Sequence, residues 1–89
     1  MKKILLIKTK GCLGCQVMHD SIDIALRDYK EDITFETVDS SELSKDFIRT
    51  HKITDFPTTI LFKDDRAVFK AVGSVPSVIV LRWLNVQLK

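Results

Sequence analysis

Cys12 and Cys15 are the only cysteines in the chain, and they lie in the run Gly11-Cys12-Leu13-Gly14-Cys15. Two thiols separated by two residues can close a disulfide, bind a metal or exchange electrons with another disulfide. One pair cannot staple a secreted mini-protein, which relies on roughly two to four bridges. In a reducing compartment such a pair is more often catalytic or metal-binding. A cytoplasmic location is therefore expected. Met1-Lys2-Lys3-Ile4-Leu5-Leu6-Ile7 mimics a signal-peptide opening, but Lys8 ends its apolar run after four residues and no small-residue cleavage site follows.

The reactivity of the pair depends on the element that carries it. From Cys15 onward, Met18, Ile22, Ala25, Leu26 and Tyr29 recur at three- and four-residue intervals, with His19, Asp20, Asp23, Arg27 and Asp28 on the other side. An amphipathic helix therefore begins at Cys12. A sulfur at a helix N-terminus lies beside unpaired backbone N–H groups and the positive end of the helix dipole, and both favour thiolate. Lowering a thiol pKa from about 8.5 to about 7 raises its thiolate fraction at neutral pH from a few per cent to about half. Lys8 and Lys10 add positive potential if they turn toward the sulfur. Cys15, one turn deeper and in line with the apolar stripe, is close enough to form a disulfide and shielded from solvent. The spacing thus predicts Cys12 as nucleophile and Cys15 as resolving thiol, with no metal or organic cofactor required.

The elements around the pair follow from pattern and punctuation. Lys3 to Lys8 reads as a strand buried on both faces, broken by Thr9-Lys10-Gly11. Ile33 to Val38 alternates as a second strand, and Asp39-Ser40-Ser41-Glu42 has capping-box spacing for a second helix reaching about Thr50. After a connection over His51 to Pro57, Thr58 to Phe62 is a third strand. Asp64-Asp65 is a hairpin turn, and Ala67 to Val72 returns as a fourth strand. Gly73 breaks that strand, and Pro76 fits the first turn of a last helix reaching Leu88. The predicted order is βαβαββα. A right-handed crossover makes the first two strands parallel, and the hairpin adds two antiparallel ones. The expected architecture is a three-layer α/β sandwich, a four-stranded mixed sheet flanked by helices, in a single domain over residues 1–89.

Composition removes several functional classes. The net charge of +2 is dispersed, so the counterion release that drives nucleic-acid binding has little to act on. Neither Phe56 to Phe62 nor Val75 to Leu81 approaches the roughly 18 apolar residues of a membrane span. With 45% hydrophobic residues and few Gly or Pro, the chain is ordered rather than low-complexity.

A metal site is the rival reading. Cys12, Cys15 and His19 share spacing on one helix, and His51 could complete a tetrahedron. His51 is distant in sequence, and a His on the polar side of a helix is usually solvated. Phe56 fits either the core or an exposed contact beside the dithiol. Trp83 reads as core or as a helix-surface cover, and Asp55 as a solvated loop carboxylate.

These residues resemble a known family. K-T-K-G-C-L-G-C after the first strand is similar to the glutaredoxin opening. D-F-P-T-T-I-L-F-K-D-D-R-A-V-F-K-A-V-G-S resembles the latter half of thioredoxins, including the Pro-Thr pair and the Gly before the last helix. The whole chain is thus similar to a small thioredoxin-fold protein. The resemblance implies a redox-active centre with a cis peptide between Phe56 and Pro57, the proline packing against the disulfide. Phe56 is implied to offer its backbone to an extended substrate, with Phe56, Pro57 and Gly73 shaping the contact surface. It further implies a thiol–disulfide oxidoreductase serving electron transport: a monomer that reduces protein or small-molecule disulfides, with a reductase or glutathione as electron donor. The alternative is a non-catalytic module whose C-x-x-C, with His19, holds a metal ion or a partner protein.

The departures are specific. Gly11 stands where thioredoxins carry Trp, and Leu13-Gly14 where they carry Gly-Pro. Leu6 occupies the place of their buried acid, so another base, or water, must serve the inner thiol. The Tyr of glutaredoxins and their Gly-Gly and acidic pair are absent, which weakens carry-over of glutathione binding. Gly14 in the first helical turn costs about 1 kcal/mol relative to Ala.

Overall fold

The computed structural model describes residues 1–89. It contains β1 (Lys2–Lys8), α1 (Leu13–Asp28), β2 (Thr34–Asp39), a 3-10 turn (Ser40–Glu42), α2 (Lys45–Thr50), β3 (Thr58–Lys63), β4 (Arg66–Val72) and α3 (Ser77–Gln87). The sheet order is β2-β1-β3-β4, with β1 parallel to β2 and antiparallel to β3, and β3 antiparallel to β4. This is the expected mixed α/β architecture.

β1 is apolar throughout because both of its faces are covered. Ile4 and Leu6 meet Met18, Ile22 and Ala25 of α1 and Val80 and Leu84 of α3, together with Leu61 and Leu88. Leu5 and Ile7 point the other way, joining Ile53 and Ile60 beneath Leu43, Phe47 and Ile48. Helices thus lie on both faces, two on one and the short α2 on the other. Trp83 is half-buried with its ring 5.0 Å from Phe69, closing the outer edge between α3 and β4.

The hairpin turn at Asp64-Asp65 takes positive φ at both residues, 52° and 68°, which matches the twist of the paired strands. One residue of β4, Val68, is left over where the register shifts beside Leu61 and Phe62, a bulge in the edge strand.

The strand ends and the end of α3 fall within one residue of expectation, and two helix starts differ from it. The capping box at Asp39 to Glu42 is real, but it closes only the 3-10 turn. Leu43 then turns inward, and α2 restarts with Ser44 as its cap, whose hydroxyl accepts from the Phe47 N–H at 3.0 Å. Burying Leu43 against the sheet breaks the helix that local spacing predicts as continuous. Pro76 lies one step earlier than expected, at the N-cap of α3 rather than inside its first turn.

Candidate functional site

The site lies where β1 ends and α1 begins. Gly11 takes φ +78°, a left-handed conformation that a side chain would strain, and this turns the chain from strand to helix. The Cys12 N–H then donates to Thr9 O at 3.3 Å, and the Cys15 N–H to Cys12 O at 3.3 Å. Cys12 is the N-cap residue of α1, extended in backbone and without a side-chain capping bond, and no acidic residue lies in the first turn. Its sulfur therefore shares the helix end with unpaired N–H groups and no nearby carboxylate from the helix. Cys12 and Cys15 are joined in a disulfide with Cα atoms 5.4 Å apart. Cys12 is half-buried, whereas Cys15 is only 4% exposed, as the apolar stripe implied.

Residues distant in sequence complete the surroundings. The Phe56–Pro57 peptide bond is cis, and Pro57 is buried. Its carbonyl accepts from the Gly73 N–H at 2.8 Å, which ties the start of β3 to the end of β4. Gly73 takes φ +95° at this junction. A β-carbon on Gly14 would stand 3.4 Å from Pro57 Cδ and 3.7 Å from Ser74 Oγ, so the first turn of α1 lies directly against both segments. Pro57 and Gly73 are thus brought to the dithiol. Phe56 is half-buried, with its side chain packed into the cluster beneath α2. Of its two expected places, the ring takes the core one.

Around this junction several apolar side chains are exposed. Leu13, between the cysteines, is 91% exposed, and Val17, Val72 and Val78 are exposed on the adjoining ends of α1, β4 and α3. The shallow cleft lined by Met1, Lys3, Thr34, Glu36, Phe62 and Asp65 lies at the other end of β1, about 20 Å of strand away. Its position gives it no part in thiol chemistry.

Lys8 stands opposite Asp39 in the β1–β2 register. Two hydrogen bonds, donated by the Ser41 backbone N–H and hydroxyl, hold the Asp39 carboxyl below the usual carboxylate range, and the charges of Lys8 and Lys10 lower it further. The positive field expected from these lysines is thus shared with an acid at the strand ends.

The dithiol does not gather the histidines. His51 packs its ring against Phe47 at 4.4 Å and Phe62 at 6.2 Å, beneath α2. His19 corrects the expectation of a solvated side chain. It is about one-third exposed (32%), its ring lies 5.1 Å from Phe35, and its Nδ1 is 3.3 Å from an Asp23 carboxylate oxygen. The ligating atoms of His19 converge with those of Asp20 and Asp23, and neither cysteine is part of that group.

Sequence reading passed over two residues here. Ser74 escaped notice because only the fold carries the end of β4 to the helix. Local pattern gives Thr59 only as part of the third strand. The signal available for it was a polar residue at an inward position of a strand that is otherwise apolar on that face.

A three-layer α/β fold with a disulfide opening its first helix and a cis-proline loop packed against that helix defines a class of redox domain. The chain belongs to the thioredoxin family, whose family model, Thioredoxin, matches residues 2–85. No curated protein matches the sequence. Among solved structures, one described as a malarial protein superposes with a TM-score of 0.80 at 20% identity, covering 100% of this chain and 99% of that one. Thioredoxin-2 of a malaria parasite, described as a component of its protein secretion machinery, superposes with a TM-score of 0.79 at 20% identity, covering 96% and 82%. These likenesses concern the fold. Family membership supports thiol–disulfide redox chemistry in general.

Proposed function

We propose that the protein is a thiol–disulfide oxidoreductase that reduces protein or small-molecule disulfides. The observation that carries this reading is the asymmetry of the pair: Cys12 half-exposed at the positive end of α1, Cys15 one turn deeper and nearly sealed. In the reduced form the Cys12 thiolate attacks a substrate disulfide, forming a mixed disulfide and releasing one substrate thiolate, which takes a proton from solvent. The Cys15 thiolate then attacks Cys12 Sγ. The Cys12–Cys15 disulfide forms, the mixed disulfide breaks, and two electrons have passed to the substrate. A reductase or glutathione restores the dithiol, and the compartment that suits this cycle is a reducing one such as the cytoplasm.

Pro57 and Gly73 shape the contact surface, with the backbone of Phe56 beside them. Leu13 and the exposed valines around it favour an apolar partner segment. The site calls for no metal or organic cofactor, and the protein works as a monomer.

Insulin-disulfide reduction and reduction of a glutathione mixed disulfide test the reading. Cys15→Ser should trap mixed disulfides on Cys12, and Cys12→Ser should abolish exchange. A folded protein inactive in both assays would defeat the proposal, and alkylation that marks Cys15 first would reverse the roles.

A further inference from the structure

We infer that Thr59 is the positioning residue of the resolving step, its buried hydroxyl donating a hydrogen bond to the Cys15 thiolate. The inference rests on the thiol–disulfide reading above. Thr58 and Thr59 are consecutive residues of β3, 0% and 1% exposed, and they face opposite sides of the sheet. The Thr58 hydroxyl donates to the Asp55 carbonyl at 2.5 Å. The Thr59 hydroxyl, equally buried, has no hydrogen-bond partner. Buried hydroxyls are nearly always paired, and Val would fill the same strand position without that cost.

The register shows where the orphan hydroxyl points. Thr59 stands directly opposite Leu6 of β1 and Ala71 of β4, and directly opposed residues project from the same face. Leu6 packs with Met18 and Ile22, so that face is the one covered by α1. Cys15 precedes Met18 by three residues and Ile22 by seven, so it lies on the same inward stripe, in the first turn of the helix. Thr58 and Thr59 open β3 at the end of the sheet where β1 closes, which is also where α1 starts. Leu6 and Ala71 offer the hydroxyl no polar side-chain atom, and Met18 only an uncharged thioether, a weak acceptor. Of the α1 side chains on this stripe, only Cys15 can present a charged sulfur.

The chemistry explains why such a group is needed. Once Cys12 holds the substrate, Cys15 must lose its proton and attack Cys12 Sγ, and an apolar setting disfavours the thiolate. An O–H donor aimed at the sulfur stabilises that charge. The proton leaves through solvent to the departing substrate thiolate, so no further reactant is needed. In the disulfide, Cys15 Sγ carries no charge and is a poor acceptor. The hydroxyl is therefore better paired in the reduced form and favours it.

The test uses the full chain and 5,5′-dithiobis(2-nitrobenzoic acid) as substrate, which releases one coloured thiol when Cys12 attacks and a second when Cys15 resolves. Thr59→Val should leave the first phase unchanged and slow the second by about tenfold, the effect expected for one hydrogen bond to a charged group. Thr59→Ser should restore it. Equilibration with glutathione should show Thr59→Val lowering the reduction potential by about 30 mV, which corresponds to about tenfold in the equilibrium constant. Thr59→Ala provides the same comparison if Val is not accommodated. A folded variant without the hydroxyl whose second phase stays within about twofold of the parent would overturn the inference, as would Thr59→Ser being as slow as Thr59→Val. If the parent protein releases no coloured thiol at all, the oxidoreductase reading fails instead.

Discussion

On one face of the sheet, Ile4, Leu6 and Leu61 are sealed beneath two helices, and Met18, Ile22, Val80 and Leu84 join them with no measurable exposure. On the other, Leu5, Ile7 and Ile60 meet a six-residue helix and a loop, whose own apolar residues Leu43, Phe47, Ile48 and Phe56 stay half-exposed. A helix as short as α2 cannot hold itself together in water and is kept in place by its cap and by what it covers. The redox pair sits on the sealed side. That difference suits the chemistry: the thick core holds Cys15 still against the sheet, while the thin face carries the loop that presents Phe56 and Pro57.

Truncation of one residue in each cluster tests the contrast with the largest effect. Leu84→Ala, in the sealed core, should cost about 3–4 kcal/mol of unfolding free energy, and Ile53→Ala, beneath α2, about 2 kcal/mol. Urea denaturation of both variants measures this, and equal losses would erase the distinction between the faces.

A smaller change should sharpen it. Gly14→Ala removes a glycine from the first turn of α1, and its β-carbon would make only ordinary contact with Pro57. The variant should gain up to about 1 kcal/mol from helix propensity. A loss instead would show that the helix and the Pro57 loop are packed more tightly than the geometry allows for.

The smallest effect concerns charge. The carboxyls of Asp39, beside the thin face, and Asp64, paired with the chain's amino terminus, are both held below their ordinary range. A lowered carboxyl contributes stability above its unfolded pKa of about 3.9, and that stability is lost as pH falls through the lower folded value. Lys2 has the opposite sign. Hydrogen bonds from its ammonium to Glu31 and Tyr29 raise its pKa, so its contribution holds below about 10.4 and is lost as pH climbs through the raised value. Asp64 is exposed and Asp39 and Lys2 are partly so, and screening by solvent keeps the effects small. Asp39→Asn should lower the neutral plateau of a pH–stability curve slightly and so shallow its acid limb. An unchanged acid limb would remove Asp39 from this account.

Much of the molecule could be read from local pattern. The alternation between charged ends and an apolar middle in Lys2 to Lys8, the three-and-four spacing after Cys12, and the paired aspartates of the hairpin all express interactions within a few residues, and each element appears where that spacing puts it. The burial of Cys15 followed in the same way, because a helix stripe is set by its period. The halted helix at Leu43 was not legible, since a capping box says where a helix can start and nothing about which later side chain the sheet will draw inward.

What the sequence determined by itself was the dithiol at the head of an amphipathic helix, because neighbouring residues there decide both helix start and buried face. Only the tertiary structure brought Pro57 and Ser74 against that helix, tied Gly73 to Pro57, turned the Phe56 ring under α2, and set Thr59 opposite Leu6. Those placements depend on strand register between segments dozens of residues apart. A shift of one residue would turn each of them to the other face, and no local pattern records it.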